Sequence, residues 1–174
     1  MNKENKMRGI KIEKITLNIG TGGPGEPLEK ALKLLNKISN MKPVETKAKK
    51  RIPGWGIRPG LSIGAKVTIR GKKAEDLLKK LLEAKGNKLS PKNFDKTGNL
   101  SFGISEYLDI PTIEYDMNIG IIGLEVAVTL MRPGYRIKLR SIKKRKIPLK
   151  HQITKQDAME FMKKKFNLSI GEES

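Results

Sequence analysis

Apolar and polar residues alternate with period two over residues 10–19. Ile15, Leu17 and Ile19 fall on one face; Lys14, Thr16 and Asn18 fall on the other. That pattern predicts a strand with one buried side and one polar side. The alternation returns over residues 61–70. There Ile63, Ala65, Val67 and Ile69 point one way, and Gly64, Lys66, Thr68 and Arg70 the other. Between the two, apolar side chains at 28, 31, 32, 35 and 38 have the spacing of an amphipathic helix, with Pro27 suited to its first turn. A second helix is predicted over residues 73–84, with Leu77, Leu78, Leu81 and Leu82 inward and Gly86 closing it. Residues 43–47 predict a short edge strand, 99–104 another short strand, and 119–131 a long one broken by Arg132-Pro-Gly. Residues 20–27, 48–59, 88–98 and 106–118 read as turns or irregular chain. A last helix starts at Thr154, an N-cap paired with Asp157 in a capping box. Its apolar stripe is Ala158, Phe161, Met162 and Phe166.

Strand, helix, strand, strand, helix, strands, helix is the order of an α+β fold. The expected architecture is a mostly antiparallel sheet with helices packed on one face and the other face left open. Residues 1–9 are expected to form a flexible arm, 10–134 the α+β domain, and 135–174 a basic extension and terminal helix packed on the same domain.

Composition narrows the class. The chain has 174 residues, with 37 Lys and Arg against 18 Asp and Glu, a formal charge of +19. Apolar residues make up 37%, enough for one modest core, and their periodicity excludes a disordered basic tail. No apolar stretch reaches the roughly 18 residues of a transmembrane helix. No apolar run follows Met1-Asn-Lys-Glu-Asn-Lys, so no secretory leader is expected. Without cysteine there is no disulfide framework, zinc ribbon or thiol nucleophile. A small folded domain at +19 points to a polyanion, with nucleic acid first.

The charge is also unevenly placed. Lys42, Lys47, Lys49, Lys50, Arg51, Arg58, Lys66 and Arg70 fall in one region whose only acid is Glu45. A second region, with no acid, holds Arg132, Arg136, Lys138, Arg140, Lys143, Lys144, Arg145, Lys146 and Lys150. Residues 106–125 carry Glu106, Asp109, Glu114, Asp116 and Glu125 and no Lys or Arg. One side is therefore expected to face phosphate, and the acidic segment to face away or meet a basic partner. In the loop 47–60, cations alternate with glycine, proline and the only tryptophan. Trp55 either stacks on a base or ribose, or anchors the loop to the core.

Enzymatic readings fail on physical grounds. Gly20-Thr-Gly22-Gly-Pro-Gly25 matches the dinucleotide-binding pattern, and Glu45 follows where a ribose ligand would sit. A Rossmann strand is buried on both faces, whereas residues 10–19 alternate, and Glu26 puts negative charge where pyrophosphate would bind. The single His151 sits among lysines as a polar surface residue. Asp109, Glu114 and Asp116 match no nuclease spacing and read as a solvated loop. No enzyme activity, cofactor, metal or small-molecule substrate is expected.

Several stretches carry a resemblance that covers most of the chain in order. They are Lys14-Ile-Thr-Leu-Asn-Ile-Gly20, Lys42-Pro-Val-Glu-Thr-Lys-Ala-Lys-Lys50, Ile57-Arg-Pro-Gly-Leu-Ser-Ile-Gly-Ala-Lys-Val-Thr-Ile-Arg-Gly71, Asn93-Phe-Asp-Lys-Thr-Gly-Asn-Leu-Ser-Phe-Gly103 and Ile110-Pro-Thr-Ile-Glu-Tyr-Asp116. With these the chain resembles the universal 5S-rRNA-binding protein family of the large ribosomal subunit. The basic run after Arg132-Pro-Gly-Tyr-Arg and the last helix look like its archaeal and eukaryotic branch.

The resemblance implies a non-enzymatic structural component of the ribosome, and hence a cytoplasmic one, whose open sheet face binds 5S rRNA in the central protuberance. By position, the 5S-facing residues are Asn18, Asn40, Met41, Lys66, Thr68 and Arg70. Relatives often carry a polar side chain where this chain has Met41, and Asn40 or the backbone can take that contact. The loop holding Lys47, Lys49, Lys50, Arg51, Trp55 and Arg58 resembles the family's P-site loop, directed at peptidyl-site tRNA and rRNA. Arg136, Lys138, Arg140, Lys143, Lys144, Arg145 and Lys146 are assigned to large-subunit rRNA. Neighbouring ribosomal proteins are implied as partners, including a small-subunit bridge protein that the acidic segment 106–116 would meet. The rival reading is a stand-alone RNA chaperone or translation factor.

Overall fold

The computed structural model describes residues 5–111 and 113–171. Residues 1–4 of the expected arm, Thr112 and residues 172–174 lie outside the described residues. The strands are β1 (Lys11–Gly20), β2 (Val44–Lys47), β3 (Ser62–Ile69), β4 (Lys88–Leu89), β5 (Leu100–Ile104), β6 (Leu124–Met131) and β7 (Ser169–Ile170). The helices are α1 (Glu26–Ser39), α2 (Lys72–Ala84) and α3 (Lys155–Phe166). Five strands form one sheet in the order β2-β3-β1-β6-β5, every neighbour antiparallel. The class is α+β, as the pattern predicts.

β1 is the middle strand, and its alternation decides what lies on each side. Ile15 and Leu17 are fully buried and Ile19 nearly so, with Ala65, Val67 and Ile69 of β3 and Val126, Val128 and Leu130 of β6 beside them. Ile12 breaks the odd-numbered phase yet is buried too. A bulge between Ile12 and Lys14 inserts Glu13 and returns Ile12 to the core face. The three helices cover this face. Leu28, Ala31, Leu34, Leu35 and Ile38 come from α1, Ala74, Leu78, Leu81 and Leu82 from α2, and Ala158, Met162 and Phe166 from α3. A 2.6 Å ion pair from Lys165 to Glu75 joins α3 to α2. α2 ends as its sequence dictates. Gly86 takes a left-handed φ of 65°, and the Asn87 N–H returns to the Leu82 carbonyl at 2.8 Å.

Two expectations need correction. The long strand expected over 119–131 begins only at Leu124. Gly120 takes a φ of 73°, and a Cβ on Gly123 would lie 2.7 Å from the Ser105 carbonyl oxygen, so the segment before Leu124 turns instead of extending. The loop expected over 88–98 contains β4, which pairs in parallel with β7, and a 3-10 turn at Pro91–Asn93 held by a Ser90–Asn93 capping box.

Gly64 shows how tightly the sheet is closed. A Cβ there would lie 2.6 Å from the Ile19 carbonyl oxygen and 3.0 Å from the Thr46 hydroxyl. Backbone cannot yield as a side-chain tip can. Gly64→Ala is therefore expected to lower stability by about 1–3 kcal/mol, the cost of overpacking a closed site. A urea denaturation midpoint unchanged from the parent protein would show that the strands can part there without loss.

Candidate nucleic-acid interface

Among the described residues no element covers the face of the sheet opposite the helices. Register places its side chains in rows. One row runs Val44, Lys66, Asn18, Glu125 and Gly103; the next runs Thr68, Thr16, Ala127 and Ser101. The structure thus brings Asn18, Lys66 and Thr68 together on adjacent strands. Lys66 is exposed, and Asn18 and Thr68 are half-buried. Arg70 extends this side just past β3, its guanidinium 3.7 Å from the Glu13 carboxylate. Asn40 and Met41 stand apart from the rows. Asn40 closes α1 with a left-handed φ of 50°, and Met41 is 39% exposed on the way into edge strand β2. Ser39 accepts the Met41 N–H at 3.2 Å, so part of that backbone is already engaged.

The loop between β2 and β3 is a built element. Ile52 and Ile57 exchange backbone hydrogen bonds of 2.9 and 3.1 Å, and Gly60 and Leu61 bond to Ala48. Buried Ala48 and Ile57 anchor it. Trp55 sits on the tip turn at 76% exposure, which excludes the core-anchor alternative. Lys47, Lys49, Lys50, Arg51 and Arg58 are all exposed. Glu45, the single acid of this region, accepts the Ser62 hydroxyl at 2.7 Å.

The basic extension leaves the other end of the sheet, where β6 runs out. Arg132 is not one of its solvent-facing cations. It is 8% exposed and binds the Gln152 carbonyl at 3.1 Å and the Asp157 carboxylate at 3.0 Å. The Tyr135 hydroxyl donates to the His151 carbonyl and accepts the Ile153 N–H. His151 is half-buried, not a free surface group, with Nε2 donating to the Pro133 carbonyl at 2.9 Å. These bonds hold the base of the extension, while Arg136, Lys138, Arg140, Lys143, Lys144, Arg145 and Lys146 remain exposed. Arg140 donates twice to the Lys143 carbonyl and shapes the turn between them. Lys138 and Lys146 border a groove of about 360 Å³ that reaches Thr129 on the open face. The two basic segments therefore flank that face at opposite ends.

The acidic segment divides. Its first part is tied down through fully buried Tyr107, whose hydroxyl accepts the Asp116 N–H. Lys37 of α1 reaches Asp116 at 3.7 Å and the Glu114 carbonyl at 3.2 Å. Glu125 departs from the expectation that the segment faces away as a whole. It lies on the open face between Asn18 and Gly103, with Asn18 Nδ2 donating to its carboxylate at 3.1 Å.

The glycine turn at 20–25 joins no nucleotide site. The strand before it is antiparallel to both neighbours, and the Thr21 and Gly22 N–H groups bond to the Ile63 carbonyl.

Family models match most of the chain. Residues 5–58 match the model described as "Ribosomal protein L5", and residues 62–161 match the model for the C-terminus of the same ribosomal family. The chain belongs to the ribosomal protein L5 family. The chain is 50% identical to the large ribosomal subunit protein uL5 of Sulfurisphaera tokodaii, covering 97% of this chain and 96% of that one. It is 48% identical to the uL5 of Nanoarchaeum equitans, over 96% and 99% of the two chains, and 44% identical to that of Methanosphaera stadtmanae, over 95% and 99%. The L5 family consists of structural, non-enzymatic ribosome components. Among the described residues no helix is long and apolar enough to cross a membrane.

Three features of this L5-family chain escape sequence reasoning. Arg132 scores as one more cation until its buried partners are seen. Glu125 joins the open face only through register. The bulge at Glu13, which brings Arg70 a carboxylate neighbour, has a faint signal in the phase break between Ile12 and Ile15.

The Arg132 clamp carries a pH dependence. Burial resists ionisation of Asp157, but hydrogen bonds from Thr154 and the Arg132 charge outweigh it and hold the carboxyl below the ordinary 3.8. A depressed carboxyl contributes stability above its unfolded value and loses it as pH falls through the folded one. Asp157→Ala is therefore expected to cost about 1–2 kcal/mol at neutral pH. The gap between variant and parent should close as pH drops below 3.8. Denaturation curves from neutral into strongly acidic solution test this, and a gap independent of pH would remove the charged clamp from the account.

Proposed function

We propose that this protein is a structural constituent of the large ribosomal subunit that binds 5S rRNA through its open sheet face. The row of Lys66, Asn18 and neighbouring Thr68, uncovered and flanked at both ends by acid-poor basic segments, carries the reading. RNA helices offer shape, 2′-hydroxyls and phosphates, with bases readable mainly where unpaired. A rigid surface of mixed amide, hydroxyl and cationic groups suits those targets. The relatives' name, large ribosomal subunit protein, supports the placement. Asn40, Met41 and Arg70 extend the 5S contact along one edge. The β2–β3 loop contacts peptidyl-site tRNA with its exposed cations and Trp55. The extension from Arg136 to Lys146 neutralises rRNA phosphate in the central protuberance. The acidic segment around Asp116 meets a small-subunit protein across the subunit bridge.

A titration of 5S rRNA against a size-matched structured RNA across salt tests the central claim. With about six phosphates engaged, affinity should fall roughly 10³-fold between 50 and 200 mM salt on the duplex-DNA scale. A 5S preference that survives high salt supports specific reading by the sheet. Equal binding that falls in parallel favours the general RNA chaperone. Thr68→Ala is expected to weaken 5S binding by about 0.5–2 kcal/mol through a lost hydrogen bond. An affinity equal to the parent's would remove Thr68 from the contact.

Because Ile57 is buried, the loop is best tested by removing charge and not chain. Replacing Lys49, Lys50, Arg51 and Arg58 with Gln should weaken peptidyl-site tRNA on ribosomes carrying the variant, while the ratio of 5S to control RNA binding stays unchanged. A collapsed ratio with intact tRNA binding would reverse the division of labour.

A further inference from the structure

One side chain on the open face has the wrong charge for phosphate. Glu125 is exposed, makes no ion pair among the described residues, and stands two strands from Lys66. Asn18 Nδ2 donates a single bond to Oε2, and no donor among the described residues reaches Oε1 of this exposed side chain. Its surroundings are small: Gly103 lies directly opposite on β5, and Ser101 and Ala127 lie in the next row. At the sheet end beside it opens a hollow of about 530 Å³, bordered by Asn18, Gly20, Gly103, Ser105, Glu125 and Lys85. Gly103 is not demanded by the backbone. A Cβ there would meet nothing within 4 Å, and its φ is not left-handed. The glycine therefore leaves space open beside the carboxylate.

An ionised carboxylate only accepts hydrogen bonds. On a surface that docks against RNA it repels phosphate, so it must meet a group that donates. Guanine is the common RNA base whose Watson–Crick edge sets two donors side by side, N1–H and the N2 amino group. Adenine, cytosine and uracil place an acceptor next to the donor. Such an edge is free only in an unpaired nucleotide, the form in which proteins read RNA bases. We propose that the hollow receives an unpaired guanosine of the bound RNA. Its Watson–Crick edge donates to Glu125, and Lys85, which also borders the hollow, takes the nucleotide's phosphate. This rests on the 5S reading of the sheet face and adds to it a residue that selects sequence as well as shape.

The sign of the effect separates this from simple repulsion. Glu125→Gln keeps the shape but turns one acceptor into a donor aimed at donors. It should lower the preference for 5S over the control RNA by about 5- to 150-fold, the range of a bidentate base contact. Binding of the control RNA should tighten slightly, because a negative charge is lost. Gly103→Val sets branched bulk beside the carboxylate, where a Cβ meets nothing within 4 Å, and should reduce the same preference. Kethoxal, which reacts with the N1 and N2 edge of unpaired guanine, gives a direct readout. With wild-type protein at saturation, at least one 5S guanine should be protected, and it should become reactive again with saturating Glu125→Gln. Thermal melts confirm that the variants fold, and if Gly103→Val does not, Glu125→Gln decides alone. If Glu125→Gln binds 5S as tightly as wild type or tighter, with the same kethoxal pattern, the guanosine site is overturned while the 5S reading stands. If wild-type protein shows no 5S preference at all, both readings fall.

Discussion

β1 gives hydrogen bonds to neighbours on both sides, yet only one of its faces is taken out of water. The asymmetry of the molecule follows from that restriction. Ile15, Leu17 and Ile19 commit their face to the three helices, and strict alternation then forces Thr16 and Asn18 outward, in register with Thr68 and Lys66. A one-residue slip would exchange the two sets. The same register that fills the core therefore assembles the polar surface, and the two cannot be varied independently. The bulge at Glu13 shows the constraint from the other side. When the strand phase fails, an extra residue restores burial of Ile12.

How much of this is readable without coordinates depends on the length over which a pattern persists. β1 and β3 are long enough for period two to be unmistakable, and α1 and α2 long enough for a helical stripe. β4 and β7, at two residues each, have no period to read and exist only because distant segments meet. Ile119, Ile121 and Ile122 obscure the start of β6, because an apolar run resembles strand. The backbone demands of Gly120 and Gly123 override that run. Leu34 escapes the α1 stripe read from spacing, although it is fully buried beside Leu35.

The candidate site divides along the same line. Asn18, Lys66 and Thr68 can be named from alternation because each lies on a regular strand with a known face. Whether Trp55 turns inward or outward cannot be read, since a loop has no period. Its exposure follows from the tight turn between Ile52 and Ile57, with Ile57 serving as the anchor in its place. Charge is the least legible property. Arg132 and Glu125 each sit in a run of like sign, and each does something its run does not. One is buried against a carbonyl and a carboxylate; the other is isolated among small residues on the open face.

The contacts that bury Arg132 also fasten both ends of the basic extension. The chain leaves β6 at Arg132 and returns at Gln152, and the two points are joined by a 3.1 Å hydrogen bond, with the Tyr135 hydroxyl bridging to Ile153 beside it. A segment pinned at both ends has already lost the freedom that an open tail would surrender on meeting its target. The entropy of closing that loop is therefore charged to folding and not to association. Under the proposed rRNA contact, the cations from Arg136 to Lys146 would be presented as a bow pinned at both ends, and strengthening or loosening the pins would tune affinity while every cation of the bow stays in place.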